Sequence, residues 1–356
     1  MLQLLFNRLL LRKKCILLYG AYANGNMGDR FQARSLAGIM EDSVPRVKVW
    51  ACSWHDQHFP FDEGQKKLQE RFICNAQWVN RYDALVLGGG GLLSGRHRPL
   101  DSDKWVGRLT VPVSFWGVGA TEETLELCGA LVAKAERITV RDAGSMKASV
   151  AVRGDVGFMP DPILVDERHF PLKKSTSGKG FAFILRKVTG RKELLYKRLI
   201  ADGARASDGF YCIFPVADKA SGLEEILPRG RVCFTDDMDQ LYQDLPQYEG
   251  VVSNRLHGCI VGLRAGVPTF GIDGVKDVEV SKIYQLYKLL GIPQFFINAY
   301  REVPSRLDLE KLAREFEDVR DGLTRRLSEL RQYTLHWAPH FLDSKVEFPK
   351  MEGKVE

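Results

Sequence analysis

The sequence predicts an α/β protein: two doubly wound, Rossmann-like parallel-sheet domains facing across a cleft, with a long C-terminal helix. Three observations predict it. Short apolar, β-branched runs alternate with longer helical patterns almost from end to end, as parallel strands covered by helices do. The 356 residues exceed one ordinary domain of about 150–200 residues. Two series of such runs are separated by "PLKKSTSGKG" (171–180), which is polar, contains glycine and lacks periodicity.

Residues 1–14, "MLQLLFNRLLLRKK", form an amphipathic N-terminal segment. Its apolar stretch of about eleven residues is too short to span a bilayer. Basic residues follow that stretch and no small-residue cleavage site appears, which argues against a signal peptide. Leu2, Leu5, Phe6 and Leu9 recur at helical spacing beside Arg8 and Arg12, with no acid in the segment. Two readings stand: a helix packed on the first strand, or an interfacial helix in peripheral contact with an anionic membrane.

The first α/β domain is expected over 15–172, with strands at 15–20, 47–52, 84–88, 112–118, 137–141 and 156–159. Its helices are expected around 29–41, 63–73 and 122–135. A linker over 173–180 leads to a second α/β domain over 181–300, with strands at 181–186, 211–216, 231–235, 250–254 and 268–272. In the segment 301–342, Leu309, Leu312, Phe316, Val319, Leu323, Leu327 and Leu330 keep one apolar face for about six turns, with Ser305 as N-cap. Such a helix packs back across both domains. The polar tail, 343–356, is expected to be flexible.

A chain that is 45% hydrophobic and 27% charged is neither disordered nor fibrous. Its net charge of +6 suits an anionic substrate or a membrane surface. The concentrated basic stripe with interleaved aromatics that would mark a nucleic-acid partner is missing, so none is expected. The seven cysteines are scattered, with no C-x-x-C pair. That pattern fits buried thiols in a reducing, cytoplasmic location rather than a disulfide framework or a zinc site. No other metal-ligand cluster stands out.

Four segments can carry chemistry. "YGAYANGNMGDRFQA" (19–33) joins a strand to a helix, and its glycines allow close backbone approach to a ligand at the helix N-terminus. It matches neither a Walker A loop nor a G-x-G-x-x-G fingerprint, and Asp29 is alternatively a helix cap. "DALVLGGGGLLSG" (83–95) places Gly88 to Gly91 directly after an apolar strand. That arrangement serves either a cleft wall contacting substrate or dense packing. "ITVRDAGSMK" (138–147) sets Arg141 and Asp142 at a strand end, where ligands of open parallel sheets gather. Arg141 alternatively pairs with a neighbouring acid. Asp161, between two turn-forming residues in "MPDPILV", is read as a structural corner. The most informative segment is "VVSNRLHGCIVGLRAGVPTFGID" (251–273). It delivers Asn254, Arg255 and His257 from an apolar strand, a grouping that is costly unless partnered or used. Arg255 offers a planar fork for carboxylate or phosphate, and His257 brings an imidazole, a side chain suited to moving protons.

At these residues the chain resembles the polysaccharide pyruvyl transferase family. The matches run in order: "NGNMGD" (24–29), "VLGGGGLL" (86–93), "WGVGA" (116–120), "TVRD" (139–142), "PDP" (160–162), "SNRLHG" (253–258) and "AGVPTFGI" (265–272). Lys282 and "YKLLGI" (287–292) continue the pattern after a stretch longer than the family's usual spacing. Arg30 stands where the family usually carries an acid. Residues 1–14 and 300–356 fall outside the resemblance.

The resemblance implies a fold like that of two-domain GT-B glycosyltransferases. It implies phosphoenolpyruvate as co-substrate, no metal and no nicotinamide cofactor. The acceptor would be a glycan or a lipid-linked oligosaccharide at the inner face of the cell membrane, and the product a pyruvate ketal. Residues and resemblance together nominate His257 and Arg255 as catalytic. They nominate Arg141, Asn24, Asp29, Gly89, Gly90, Leu92, Asn254 and Lys282 as substrate-binding. Two alternatives are a nucleotide-sugar glycosyltransferase of the same fold and a non-catalytic glycan- or anion-binding protein.

Overall fold

The computed structural model describes residues 4, 7, 11–23, 25–53, 66–68, 70–91, 99–174, 178–186, 205–215, 232–301 and 304–342. The first half contains β1 (Lys14–Gly20), α1 (Met27–Ser43), β2 (Val47–Ser53), β3 (Lys66–Leu68), α2 (Ala76–Val79), β4 (Ala84–Gly88) and α3 (Asp103–Val106). It continues through β5 (Val113–Val118), α4 (Glu122–Leu127), α5 (Gly129–Lys134), β6 (Arg137–Val140), α6 (Ala143–Val152), β7 (Val156–Phe158) and α7 (Pro162–Val165). The second half contains β8 (Phe181–Ile184), β9 (Gly209–Cys212), β10 (Val232–Phe234), α8 (Met238–Asp244), β11 (Gly250–Ser253), α9 (Leu256–Arg264), β12 (Thr269–Asp273), α10 (Lys282–Leu289) and β13 (Phe296–Asn298). The helix α11 (Arg306–Trp337) follows.

The strands form a seven-stranded sheet, β3-β2-β1-β4-β5-β6-β7, and a six-stranded sheet, β10-β9-β8-β11-β12-β13. Every pairing is parallel. Strand order therefore reverses between β1 and β4, and again between β8 and β11. Those switch points are where open parallel sheets leave a crevice for ligands.

The two-sided burial expected of such sheets is visible in β1, where all residues after Lys14 are buried. One face of the first sheet packs Leu17, Tyr19, Leu85 and Phe115 into a local core. The opposite face, with Leu18, Val86 and Trp116, is continuous with the core of the second half through Phe183, Ile260 and Phe270. The two halves thus share apolar packing beneath the crevice.

Helix α11 starts with a capping box, Ser305 and Asp308 satisfying one another's backbone N–H groups. Its 32 residues span about 48 Å. Along that length Arg320 donates to the Gly266 carbonyl (2.6 Å), Arg326 Nε to that of Leu289 (3.0 Å), and the Tyr333 hydroxyl to that of Phe158 (3.0 Å). The helix therefore straps both halves.

Three local expectations change. Within the predicted helix 63–73, Lys66–Leu68 is a strand on the open edge of β2, followed by a 3-10 turn at Glu70–Phe72. An unpaired β2 edge offers that backbone more hydrogen bonds than a short helix would. Residues 63–65 lie outside the described set. The helix expected at 122–135 breaks at Cys128 into α4 and α5. The three-residue β13, too short to show periodicity, adds an edge strand to the second sheet. At the N-terminus, Leu4 is buried and joins the core of Cys15 and Leu17, as a segment packed on the first strand requires. Leu2, Leu5, Phe6 and Leu9 lie outside the described residues, as does the tail 343–356. Among the described residues, no helix is long and apolar enough to cross a membrane.

Candidate functional site

Helix α1 enters at the first switch point. Asn26 caps it: its side-chain oxygen accepts from the Gly28 N–H (3.2 Å), and its Nδ2 donates to Asp29 Oδ2 (3.0 Å). Asp29, the alternative cap of the sequence reading, instead sits in the first turn. Gly28 has a purely steric reason. A Cβ there would lie 1.7 Å from His257 Nδ1, so only glycine lets the imidazole of the second half lie against this turn.

After β4 the chain doubles back through Gly89 (φ +74°) and Gly90 (φ +70°), conformations that favour glycine. Cβ atoms at these positions would meet Gln32 Oε1 at 2.8 Å and Asp29 Oδ1 at 3.1 Å. The close approach inferred from the four glycines is therefore made by α1 at Gly89 and Gly90, while Gly91 borders the cleft. Asn24 and Leu92 lie outside the described residues. The glycine of "WGVGA" has a similar cause. Gly117 (φ +55°) lies at a register shift in β5, where a Cβ would crowd the Met159 carbonyl at 3.1 Å. That irregularity lets the "PDP" corner settle against the strand end.

The second switch point supplies the other wall. The Ser253 hydroxyl donates to the Ile184 carbonyl (2.9 Å) and accepts from the Arg255 N–H (3.0 Å), fixing the exit of β11. Asn254 is buried. Its Oδ1 accepts from the Arg186 N–H (2.7 Å) and its Nδ2 donates to the Arg186 carbonyl (3.0 Å). The Asn254 amide thus holds a neighbouring loop, which places exposed Arg186 on the cleft wall. Arg255 occupies the N-cap position of α9 and His257 its first turn.

The group joining the halves is Asp161. Its Oδ2 accepts from Arg141 (2.5 Å) and Gln32 Nε2 (2.7 Å), and lies 3.3 Å from His257 Nε2. Its Oδ1 accepts from the Ile163 N–H (3.2 Å), so the residue also makes the corner that starts α7. The side chains of Arg141, Asp161 and His257 are 7%, 5% and 7% exposed. Burial alone would raise the Asp161 pKa. The adjacent His257, the Arg141 guanidinium and the Ile163 N–H outweigh it and hold the carboxyl well below the usual carboxylate range. Arg141 therefore pairs with Asp161; Asp142 instead caps α6 through the Ser145 N–H (2.7 Å). The Arg141 Nε is buried with no hydrogen-bond partner among the described residues.

Lys282 opens α10 on the opposite wall. It keeps solvent contact, yet crowding by protein, reinforced by Arg141, pushes its ammonium pKa down. With Asn26, Asp29, Gly91, Asp273, Arg141, Arg186, Arg255 and His257, it lines a cleft of about 540 Å³. Arg30 and Arg34 leave α1 in another direction, pairing with Asp236 and, bidentately at 2.6–2.7 Å, with Asp239. The acid-to-arginine departure at Arg30 thus serves contact between the halves.

The structure brings together Asp29, Arg141, Arg255, His257 and Lys282 at one cleft. Sequence reasoning missed Asp161 as their hub, along with Gln32 and Arg186. The only signal for Asp161 was its presence in an ordered motif. Nothing local marks Gln32, a helical glutamine.

No curated protein sequence matches the chain. Among solved structures, it is similar to the S. aureus MnaA–UDP co-structure, with TM-score 0.53 and 11% identity over 96% of this chain and 100% of that one. It is also similar to a Listeria monocytogenes structure described as a UDP-N-acetylglucosamine 2-epimerase, with TM-score 0.51 and 8% identity over 95% and 98%. At such identities these likenesses concern the fold, two parallel-sheet α/β halves of the GT-B kind. The sequence itself matches the family described as polysaccharide pyruvyl transferase over residues 26–274, from the α1 cap through Arg141, Asp161, Arg255 and His257. The chain belongs to the polysaccharide pyruvyl transferase family.

Proposed function

We propose that this protein transfers pyruvate from phosphoenolpyruvate to a sugar of a polysaccharide or its lipid-linked repeat unit, forming a pyruvate ketal. The observation that carries the reading is one cleft holding two arginines, Arg141 and Arg255, beside a buried Asp161–His257 pair. Phosphoenolpyruvate carries a carboxylate and a phosphate, and two guanidinium forks suit two such groups. Protonation of its methylene carbon develops positive charge at C2, which a sugar hydroxyl attacks. Phosphate leaves with the C2–O bond, and a second hydroxyl closes the ketal. The two hydroxyl protons released balance the proton taken up by carbon and one carried off by the departing phosphate.

His257 is the group suited to move a proton. Asp161, ionised at neutral pH, stabilises the imidazolium form. Arg255 and Arg141 orient the donor, and Asn254 keeps Arg186 at the mouth for the acceptor. We place the reaction in the cytoplasm, with residues 1–14 contacting the anionic membrane face.

Thermal stabilisation without added divalent metal tests the donor. Phosphoenolpyruvate at 100 times its dissociation constant should add about 2.7 kcal/mol. Arg255→Lys keeps the cation and loses the fork, so donor affinity should fall by about 1–3 kcal/mol. Stabilisation by uridine diphosphate sugars alone would transfer the reading to a glycosyltransferase. Binding with no turnover on any acceptor would favour a binding protein.

A further inference from the structure

Gln32 is fully buried in the second turn of α1, and its amide is not explained by the chemistry above. A buried amide is costly unless its hydrogen bonds are made. Its Nε2 donates to Asp161 Oδ2 at 2.7 Å and lies 3.1 Å from His257 Nε2. The orientation follows from chemistry: with oxygen in place of nitrogen, two acceptors would face each other at 2.7 Å. The amide oxygen accordingly points toward Gly89 and Gly90, where a side chain on either glycine would collide with it.

An amide nitrogen has two hydrogens. One is used on Asp161, and the other is within reach of His257 Nε2, which can accept it only with its lone pair. Asp161 Oδ2 competes for the same ring nitrogen from 3.3 Å, and would take a proton there as a hydrogen bond from the imidazolium or the other neutral tautomer. The nearer partner is the amide, and that oxygen already accepts from Arg141 and Gln32.

We propose that Gln32 is a positioning residue that holds resting His257 neutral, with its proton on Nδ1 and its lone pair on Nε2, reserving the imidazolium for the donor-bound site. Nδ1 is the ring nitrogen against Gly28, on the side where Asn26 and Asp29 border the cleft. An incoming trianion would favour the charged ring, which then turns its Nε2–H to Asp161 and has Nδ1–H available for transfer. This rests on the reading of His257 as the proton-moving group, but not on the identity of the donor. The charged groups around the ring are Asp161 and Arg141 from the first half, Asp29 on α1, Arg255 on its own element, and Lys282 on α10. None of them is changed in the test.

Nitrogen-15 NMR of the ligand-free 356-residue protein reads the tautomer directly, with His257→Gln identifying the signal among the seven histidines. Above the titration midpoint, Nδ1 should carry the proton; an Nε2–H tautomer in the wild type overturns the proposal. Gln32→Met removes the amide while keeping the side chain's length. The His257 midpoint should then rise by about one pH unit, as the neutral form loses a hydrogen bond. The pH dependence of kcat/KM should follow it. A folded Gln32→Met protein with an unmoved or lowered midpoint also overturns the proposal. The wild-type measurement stands whatever that variant does, and failure of phosphoenolpyruvate to bind leaves both results intact.

Discussion

Replacing Asp161 by asparagine removes one negative charge from the centre of the site and little volume. Oδ2 accepts from two cationic or amide donors at 2.5 and 2.7 Å, and both Arg141 and Asp161 are almost wholly buried. Removing one partner of a buried, hydrogen-bonded ion pair costs about 3–5 kcal/mol, because the surviving charge stays desolvated. Asparagine retains an acceptor for Ile163 or Arg141, so the lower end applies, about 3 kcal/mol by urea denaturation at neutral pH. The sign with pH is fixed by the depressed carboxyl. Its folded pKa lies below its unfolded value of about 3.9. The contribution is therefore fully present above that value and lost as pH falls through the folded pKa. The carboxylate's own contribution should be fully present at neutral pH, and the gap between wild type and Asp161→Asn should narrow below about pH 4. Adding Arg141→Met should cost less than the two single losses combined, since no charge is then left unpaired. Equal stability of the wild-type and Asp161→Asn proteins at pH 7, or a gap that does not narrow below about pH 4, would refute the assignment of Asp161 as an ionised hub.

His257→Gln keeps a hydrogen-bonding side chain that cannot titrate; donor affinity should stay near wild type while turnover falls about 10²–10⁴-fold, and near-normal turnover would leave His257 a positioning group only. Gly28→Ala drives a methyl group into the His257 ring, so donor turnover should drop sharply in a protein whose circular dichroism is unchanged; normal turnover would show that the ring and α1 need no such contact. Deleting residues 1–12 should reduce association with anionic vesicles and leave activity on a soluble acceptor, and equal vesicle binding would remove the membrane role. The same deletion takes away buried Leu4 and should cost about 2 kcal/mol of stability.

The sequence by itself determined what neighbouring residues decide together. The uninterrupted apolar run of β1, the Ser305 cap of α11 and the polar bunch Asn254–Arg255–His257 at the end of β11 are local patterns, and the fold class and one wall of the site follow from them. Where local signal was thin, competition within the sheet decided instead. The edge of β2 claimed Lys66–Leu68 as a strand, and β13 formed from three residues. The chemistry of the site depends on contacts that local periodicity does not encode. Asp161 meets His257 across 96 positions of chain, and Gln32 meets it across 225. An aspartate between two prolines and a glutamine inside a helix look alike on a surface and in a buried network. Only the docking of two strand-order switch points against each other removes water from those side chains, and with the water gone their hydrogen bonds must be made to one another.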